Sequence, residues 1–214
     1  MKPFLTAVLI LTSLGVYSQT DRNSFLIGGN ASLSYQETKY TSSFGSNYKT
    51  TSASVSPSVG FFVIKNLCAG LALPVSFSTT KYDNNSSSIS FGNSKSKSYG
   101  VGPFVRYYYP LTDNKLFLLA EGAYSWSKGI NNTSAYDINT NTTEPVKYTI
   151  KNNIYRLGAG VAFFLNEHTS LELLGNYQKS KSTSDQNPNY FILTDTKASN
   201  IFLSLGLKVY IPAK

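Results

Sequence analysis

The sequence predicts an all-β fold: eight antiparallel strands closed up-and-down into a transmembrane barrel with four long extracellular loops and three short periplasmic turns. Three observations carry this. Apolar residues alternate with small or polar ones at period two from about residue 24 to residue 211. The connections between these runs alternate between short and long. After the N-terminal leader no run reaches the roughly 18 apolar residues of a membrane helix, whereas a membrane strand needs only about 9–11.

The strands follow in order. The first, about 24–37, sets Phe25, Ile27, Ala31, Leu33 and Tyr35 against Gly28, Asn30, Ser32 and Ser34. The second, about 50–64, sets Val55, Val59, Phe61 and Val63 against serines and Gly60. The third, about 67–80, carries Leu67, Leu71, Leu73, Val75 and Phe77 on one face. The fourth, about 97–109, offers Tyr99, Val101, Val105, Tyr107 and Tyr109 against Gly100, Gly102, Phe104, Arg106 and Tyr108. The fifth, about 116–129, opposes Leu116, Leu118, Tyr124 and Trp126 to Phe117, Leu119 and Glu121. The sixth and seventh, about 148–165 and 169–180, place Leu157, Val161, Leu171, Leu173 and Tyr177 opposite Arg156, Gly158, Glu172 and Asn176. The last, about 198–211, sets Ile201, Leu203, Leu205, Leu207, Val209 and Ile211 against Ser204, Gly206, Lys208 and Tyr210.

Three connections, "IKNL", "PLTDNK" and "LNEHTS", are short, while 38–49, 81–96, 130–147 and 181–197 are long and polar. Long loops at one end and tight turns at the other put both termini on the turn side. Ahead of the barrel, "MKPFLTAVLILTSLGVYSQT" has Lys2, a short apolar run and Ser18 at a cleavage position. It reads as a secretory signal peptide spanning 1–18, with the barrel domain at 19–214. The single cysteine, Cys68, excludes an internal disulfide. The formal charge of +8 is spread over lysines in polar segments without a dense run, so nucleic acid is not an expected partner.

Alternation alone does not say which face meets water, since a soluble lipocalin-like barrel in the periplasm has the same period with its apolar face inside. Two features favour lipid outside. The polar face is rich in Gly, Ser and Ala with few charges. Tyr35, Tyr99, Tyr107, Tyr109, Tyr124, Trp126 and Tyr177 gather toward strand ends, the pattern of interfacial aromatic girdles. Pro57, Pro74 and Pro103 run against the reading, because a proline removes a ladder hydrogen bond; they belong at rims or bulges.

The stretch "FVRYYYPLTDNKLFLLAEGAYSW" gives the sharpest expectation. A turn at Thr112–Lys115 pairs Arg106 with Glu121, both pointing into the barrel with Tyr108. Glu172 and Lys208 are further members of this interior polar cluster. Ion pairing rather than paired-acid catalysis is the expected role of the glutamates. His168, the only histidine, falls in a short turn and reads as a solvated residue, so no catalytic, cofactor-binding or metal residue is assigned. Lys81, Lys95, Lys97, Lys179 and Lys181 either meet lipopolysaccharide phosphates or are solvated loop charges. The triplets "NNS", "NTS" and "NTT" match a glycosylation pattern that chance explains in loops this rich in Asn, Ser and Thr.

With "YGVGPFVRYYYP", "LAEGAYSW", "YRLGAGVAFFL" and "LSLGLKVYI", the whole mature chain resembles the small bacterial outer-membrane β-barrels of the OmpX type and the OmpA membrane domain, in the versions found in Bacteroidetes-like bacteria. It departs from them at its end, "KVYIPAK", where the assembly machinery commonly reads an aromatic residue. The resemblance implies an integral, monomeric outer-membrane protein in contact with lipid, lipopolysaccharide and the assembly machinery. It implies no enzymatic activity or cofactor, and a role in envelope integrity or in adhesion to a host or cell-surface ligand through the loops. Eight strands leave an interior that side chains fill, which argues against a general porin. An outer-membrane enzyme that modifies lipid A is a competing reading, as is the soluble lipocalin-like barrel.

Overall fold

The computed structural model describes residues 20–38, 47–83, 93–112, 115–137, 142–184 and 195–212. The expected signal peptide lies outside them. Among the described residues there are nine strands: β1 (Phe25–Thr38), β2 (Asn47–Ile64), β3 (Leu67–Ala72), β4 (Val75–Asp83), β5 (Ser94–Thr112), β6 (Leu116–Asp137), β7 (Thr142–Asn166), β8 (Thr169–Ser184) and β9 (Asp195–Ile211). All pairings are antiparallel, and β1 bonds to both β2 and β9, so the sheet closes on itself.

Nine strands still make a ring of eight. β3 and β4 are collinear, and both lie between β2 and β5. The interruption falls at Leu73-Pro74 because two prolines meet there. Leu73 N–H donates to the Pro57 carbonyl at 2.8 Å and Gly100 N–H to the Pro74 carbonyl at 2.9 Å. Neither proline has an N–H to return, so each pair keeps one bond where a regular ladder has two. Pro103 coincides with a gap in the β5–β6 ladder between Val101 and Phe104. The prolines therefore lie mid-wall on one side of the ring, rather than at the rims.

The strands also run further toward the loop end than hydrophobic alternation suggested. Residues 130–147, expected as a loop, are largely a continuation of β6 and β7, which remain paired to Asp137↔Thr142. At the other end, each tight turn carries a register shift, at Phe62/Ile64, Pro110/Thr112 and Phe164/Asn166. Such bulges bend the strand into the turn. Asn66 adopts φ 67° in the β2–β3 turn, a left-handed conformation that asparagine tolerates.

Following paired residues round the ring from Phe25 through Phe61, Ala69, Val105, Gly122, Leu157 and Tyr177 reaches Ile201. The β1–β9 register, which sets Ala31 against Leu205, extrapolates to place Ile201 level with Tyr35, ten residues beyond Phe25. A stagger of that size over eight strands corresponds to a tilt of about 40°.

The two faces have opposite character. Leu26, Phe62, Phe104, Tyr108, Phe117, Leu119, Phe164, Leu174 and Tyr210 fill the interior toward the turn end. Outward lie Ile27, Leu33, Val59, Leu71, Val105, Leu118, Leu157 and Leu173, together with Ile201, Leu203, Leu205 and Leu207 of β9, all exposed.

The outward residues are also ordered along each strand. On β5 they read, from the loop end, Lys95, Lys97, Tyr99, Val101, Pro103, Val105, Tyr107 and Tyr109. The eight residue steps from Tyr99 to Tyr107 span about 26 Å of strand, or about 20 Å along the barrel axis after tilt. That is close to the apolar band of about 25 Å typical of membrane barrels.

Candidate functional site

The interior polar cluster is built from several strands. Arg106 on β5 and Glu121 on β6 are direct cross-strand partners. The Arg106 guanidinium donates to Glu121 Oε2 through Nε at 3.0 Å and also through Nη2. Its Nη1 reaches across the lumen to Glu172 Oε2 on β8 at 2.9 Å. Tyr108 donates to Glu172 Oε1 at 2.9 Å, and Tyr210 on β9 donates to the Tyr108 hydroxyl at 3.2 Å. Arg156 on β7 donates from Nη2 to the second oxygen of Glu121 at 2.9 Å. Both carboxylates and Arg106 are buried.

Lys208 lies in the same lumen with no exposure. Its Nζ donates to Asn30 Oδ1 at 2.7 Å and Ser58 Oγ at 3.2 Å. Among the described residues Lys208 forms no ion pair with either glutamate. The structure thus brings Arg106, Glu121 and Glu172 together and sets Lys208 apart from them, among neutral oxygens.

Small residues make room for these charges. Glu121 faces Gly158, Glu172 faces Gly206, Arg106 faces Cys68 and Lys208 faces Gly28 on an adjacent strand. At Gly28 an added Cβ would lie 2.7 Å from Lys208 Cδ. Beside the cluster, toward the turn end, Phe62, Tyr108 and Tyr210 close the lumen as a triangle with centroid separations of 5.8, 6.1 and 6.2 Å. This arrangement pairs Arg106 and Arg156 with Glu121 and Glu172 and fills the lumen beside them with aromatic rings.

His168 corrects an expectation. It is buried, with 6% of its surface exposed, rather than solvated. The turn folds against the barrel end: His168 N–H donates to Asn166 Oδ1 at 2.8 Å, and its carbonyl accepts from Tyr210 N–H at 2.8 Å. Among the described residues no group of His, Cys, Asp and Glu is placed to hold a metal ion.

A family model for the outer membrane protein beta-barrel domain matches residues 4–211. The chain belongs to that family. Among solved structures, OprG from Pseudomonas aeruginosa is similar at a TM-score of 0.54 and 11% identity, covering 92% of this chain and 100% of that one. The translocator domain of the autotransporter NalP from Neisseria meningitidis gives 0.48 at 16% identity, covering 100% and 69%. At these identities the likeness to OprG shows the fold alone. No curated protein matches the sequence.

In this outer-membrane barrel the seven aromatic residues singled out in the sequence all lie on the outer wall. Tyr35, Tyr99, Tyr107, Tyr109, Trp126 and Tyr177 are exposed, and Tyr124 is half-buried. Tyr124 is covered by Trp126 and Tyr155, each at 4.7 Å between ring centroids. Tyr155, opposite Tyr124 in the β6–β7 ladder, belongs to the same group and was missed. Tyr107 and Tyr109 sit at the turn end, the others toward the loop end.

Immediately beyond the loop-end aromatics comes a tier of lysines. Lys49, Lys81, Lys95, Lys97, Lys128 and Lys151 are all outward and exposed, as are Lys179, Lys181 and Lys197. Several face one another directly: Lys49↔Lys81, Lys128↔Lys151 and Lys181↔Lys197. Lys49 has Glu37 on its other side. The five lysines noted in the sequence belong to this tier on the strands, rather than to loops.

Proposed function

We propose that this protein is a non-enzymatic, monomeric stabiliser of the outer membrane, which binds phosphorylated lipid of the outer leaflet around its wall. The observation that carries the reading is the lysine tier above the aromatic one. Like charges directly opposite each other on adjacent strands are destabilising, and such pairs recur at one level of the wall. Anionic headgroups placed between them turn that repulsion into attraction, each lysine near such a surface contributing about 1 kcal/mol. Lipopolysaccharide supplies phosphates at this depth, just outside the acyl-chain boundary that the aromatic rings mark.

The sealed lumen supports a role at the wall and loop end rather than general solute passage. A projecting β6–β7 ribbon supports a second contact, with a host or cell surface. Beyond Asn132 on β6 and before Ile150 on β7, these strands pair only with each other among the described residues.

The test uses purified protein in nanodiscs of neutral phosphatidylcholine with and without diphosphoryl lipid A. Lipid A should raise the temperature at which the folded gel mobility is lost. Changing Lys81, Lys97, Lys128, Lys181 and Lys197 together to Gln should remove that increment while leaving folding in neutral lipid intact. An equal increment in the variant would overturn the reading.

A further inference from the structure

On the loop side of the cluster the barrel holds a cavity of about 250 Å³. Its lining mixes small apolar residues with many serines, Ser32, Ser54, Ser56, Ser76, Ser98 and Ser204 among them. Among the described residues that line it, Arg156 is the only charged one. We propose that this cavity is a binding site for a small hydroxylated carboxylate of the sugar-acid class, held at its carboxylate by Arg156 and along its hydroxyls by the serine walls.

Two unsatisfied groups point to a ligand. Arg156 spends Nη2 on Glu121, but its buried Nε has no hydrogen-bond partner. The Ser56 side-chain oxygen is likewise buried without a partner, on a residue only 9% exposed. A buried donor left unpaired is costly, and a guanidinium edge is shaped for two parallel bonds to a carboxylate.

Charge agrees with geometry. Arg106 and Arg156 are matched by Glu121 and Glu172, and Lys208, which pairs with neither glutamate, leaves one positive charge over in the described lumen. One carboxylate on Arg156 would balance it.

The walls favour a ligand with several hydroxyls. Ser32 bonds to Ser54 at 2.7 Å and Ser76 to Ser98 at 2.7 Å. Each pair uses one of its two hydroxyl protons, so one donor and several lone pairs remain for a ligand. A cavity of about 250 Å³ has room for a six-carbon chain. The site is independent of the lipid-binding reading, because it lies inside the lumen and shares no residue with the lysine tier.

The chain has three arginines, Arg22, Arg106 and Arg156, so its Nε–H resonances are few enough to assign by substitution. Full-length folded protein in detergent micelles is titrated with gluconate, with sorbitol and with acetate. Gluconate should shift the Arg156 Nε–H signal saturably, with sorbitol and acetate at least tenfold weaker. Arg156→Gln should weaken gluconate binding at least tenfold, measured by calorimetry on protein that keeps its heat-modifiable mobility. Ser76→Leu, which fills the cavity without touching the ion pairs, should do the same and covers the case in which Arg156→Gln does not fold. Absence of saturable gluconate binding, equal binding of sorbitol or acetate, or unchanged binding in Ser76→Leu would overturn the proposal.

Discussion

Arg106 and Glu121 are cross-strand partners whose side chains meet inside the barrel, and Arg156 shares the same carboxylate from the other side. Glu121 therefore holds two guanidinium groups, and Arg106 in turn spans the lumen to Glu172.

Removing one partner of a buried pair leaves an uncompensated charge and costs about 3–5 kcal/mol. Glu121→Gln should destabilise the folded barrel by that amount. Adding Arg156→Gln should restore part of the loss, because one of the two stranded charges is then gone. A double-mutant cycle in denaturant, monitored by gel mobility, checks this. Additive losses would show that Glu121 and Arg156 are not coupled.

The Arg106–Glu121 partnership was legible because a short turn fixes the register of its hairpin. The Glu121–Arg156 contact was not, since β6 and β7 are joined across a long polar stretch that sets no register in the sequence. The same stretch hid the length of β6 and β7: serines, threonines and asparagines outside the apolar band carry no alternation to read. The break at Leu73-Pro74 was invisible for another reason. β3 and β4 stay collinear, so side-chain alternation runs through the interruption although ladder bonds are lost. Burial of His168 depends on how a turn folds over the barrel end, which no periodicity records.

Depth along the wall gives the second prediction. On β9 the outward residues run Ile211, Val209, Leu207, Leu205, Leu203, Ile201, Ser199 and Lys197. Leu205→Arg, in the middle of the apolar band, should cost about 2–4 kcal/mol on folding into vesicles, and Ser199→Arg, near the interface, about 0–1 kcal/mol. Equal costs for the two would remove the assignment of this face to lipid.

Close strand approach gives the third. A Cβ at Gly70 would lie 2.2 Å from the Val59 carbonyl oxygen and 2.7 Å from the Phe104 ring. At Gly122 the only neighbour within 4 Å is Leu157 Cδ2, at 3.9 Å. Gly70→Ala should thus lower folding yield and the mobility-transition temperature, while Gly122→Ala should leave both within error. Backbone cannot move aside as a flexible side chain can, and the contrast between two alanines isolates that effect. Unaffected folding of Gly70→Ala would mean the β2–β3 approach is looser than described.

The last prediction concerns passage through the lumen. Phe62, Tyr108 and Tyr210 come from β2, β5 and β9, so their triangle ties three separate parts of the ring together across its axis. Phe164 packs on Tyr210 at 4.8 Å and Phe117 on Phe164 at 5.0 Å, which thickens the seal toward the turns. The wild-type protein in planar bilayers should therefore show no steady conductance. Tyr108→Ala with Tyr210→Ala removes two corners of the triangle, which should produce discrete conductance steps in protein that retains folded mobility. Steady conductance of the wild-type barrel, or an unchanged barrier in the double variant, would show that the rings do not form the seal.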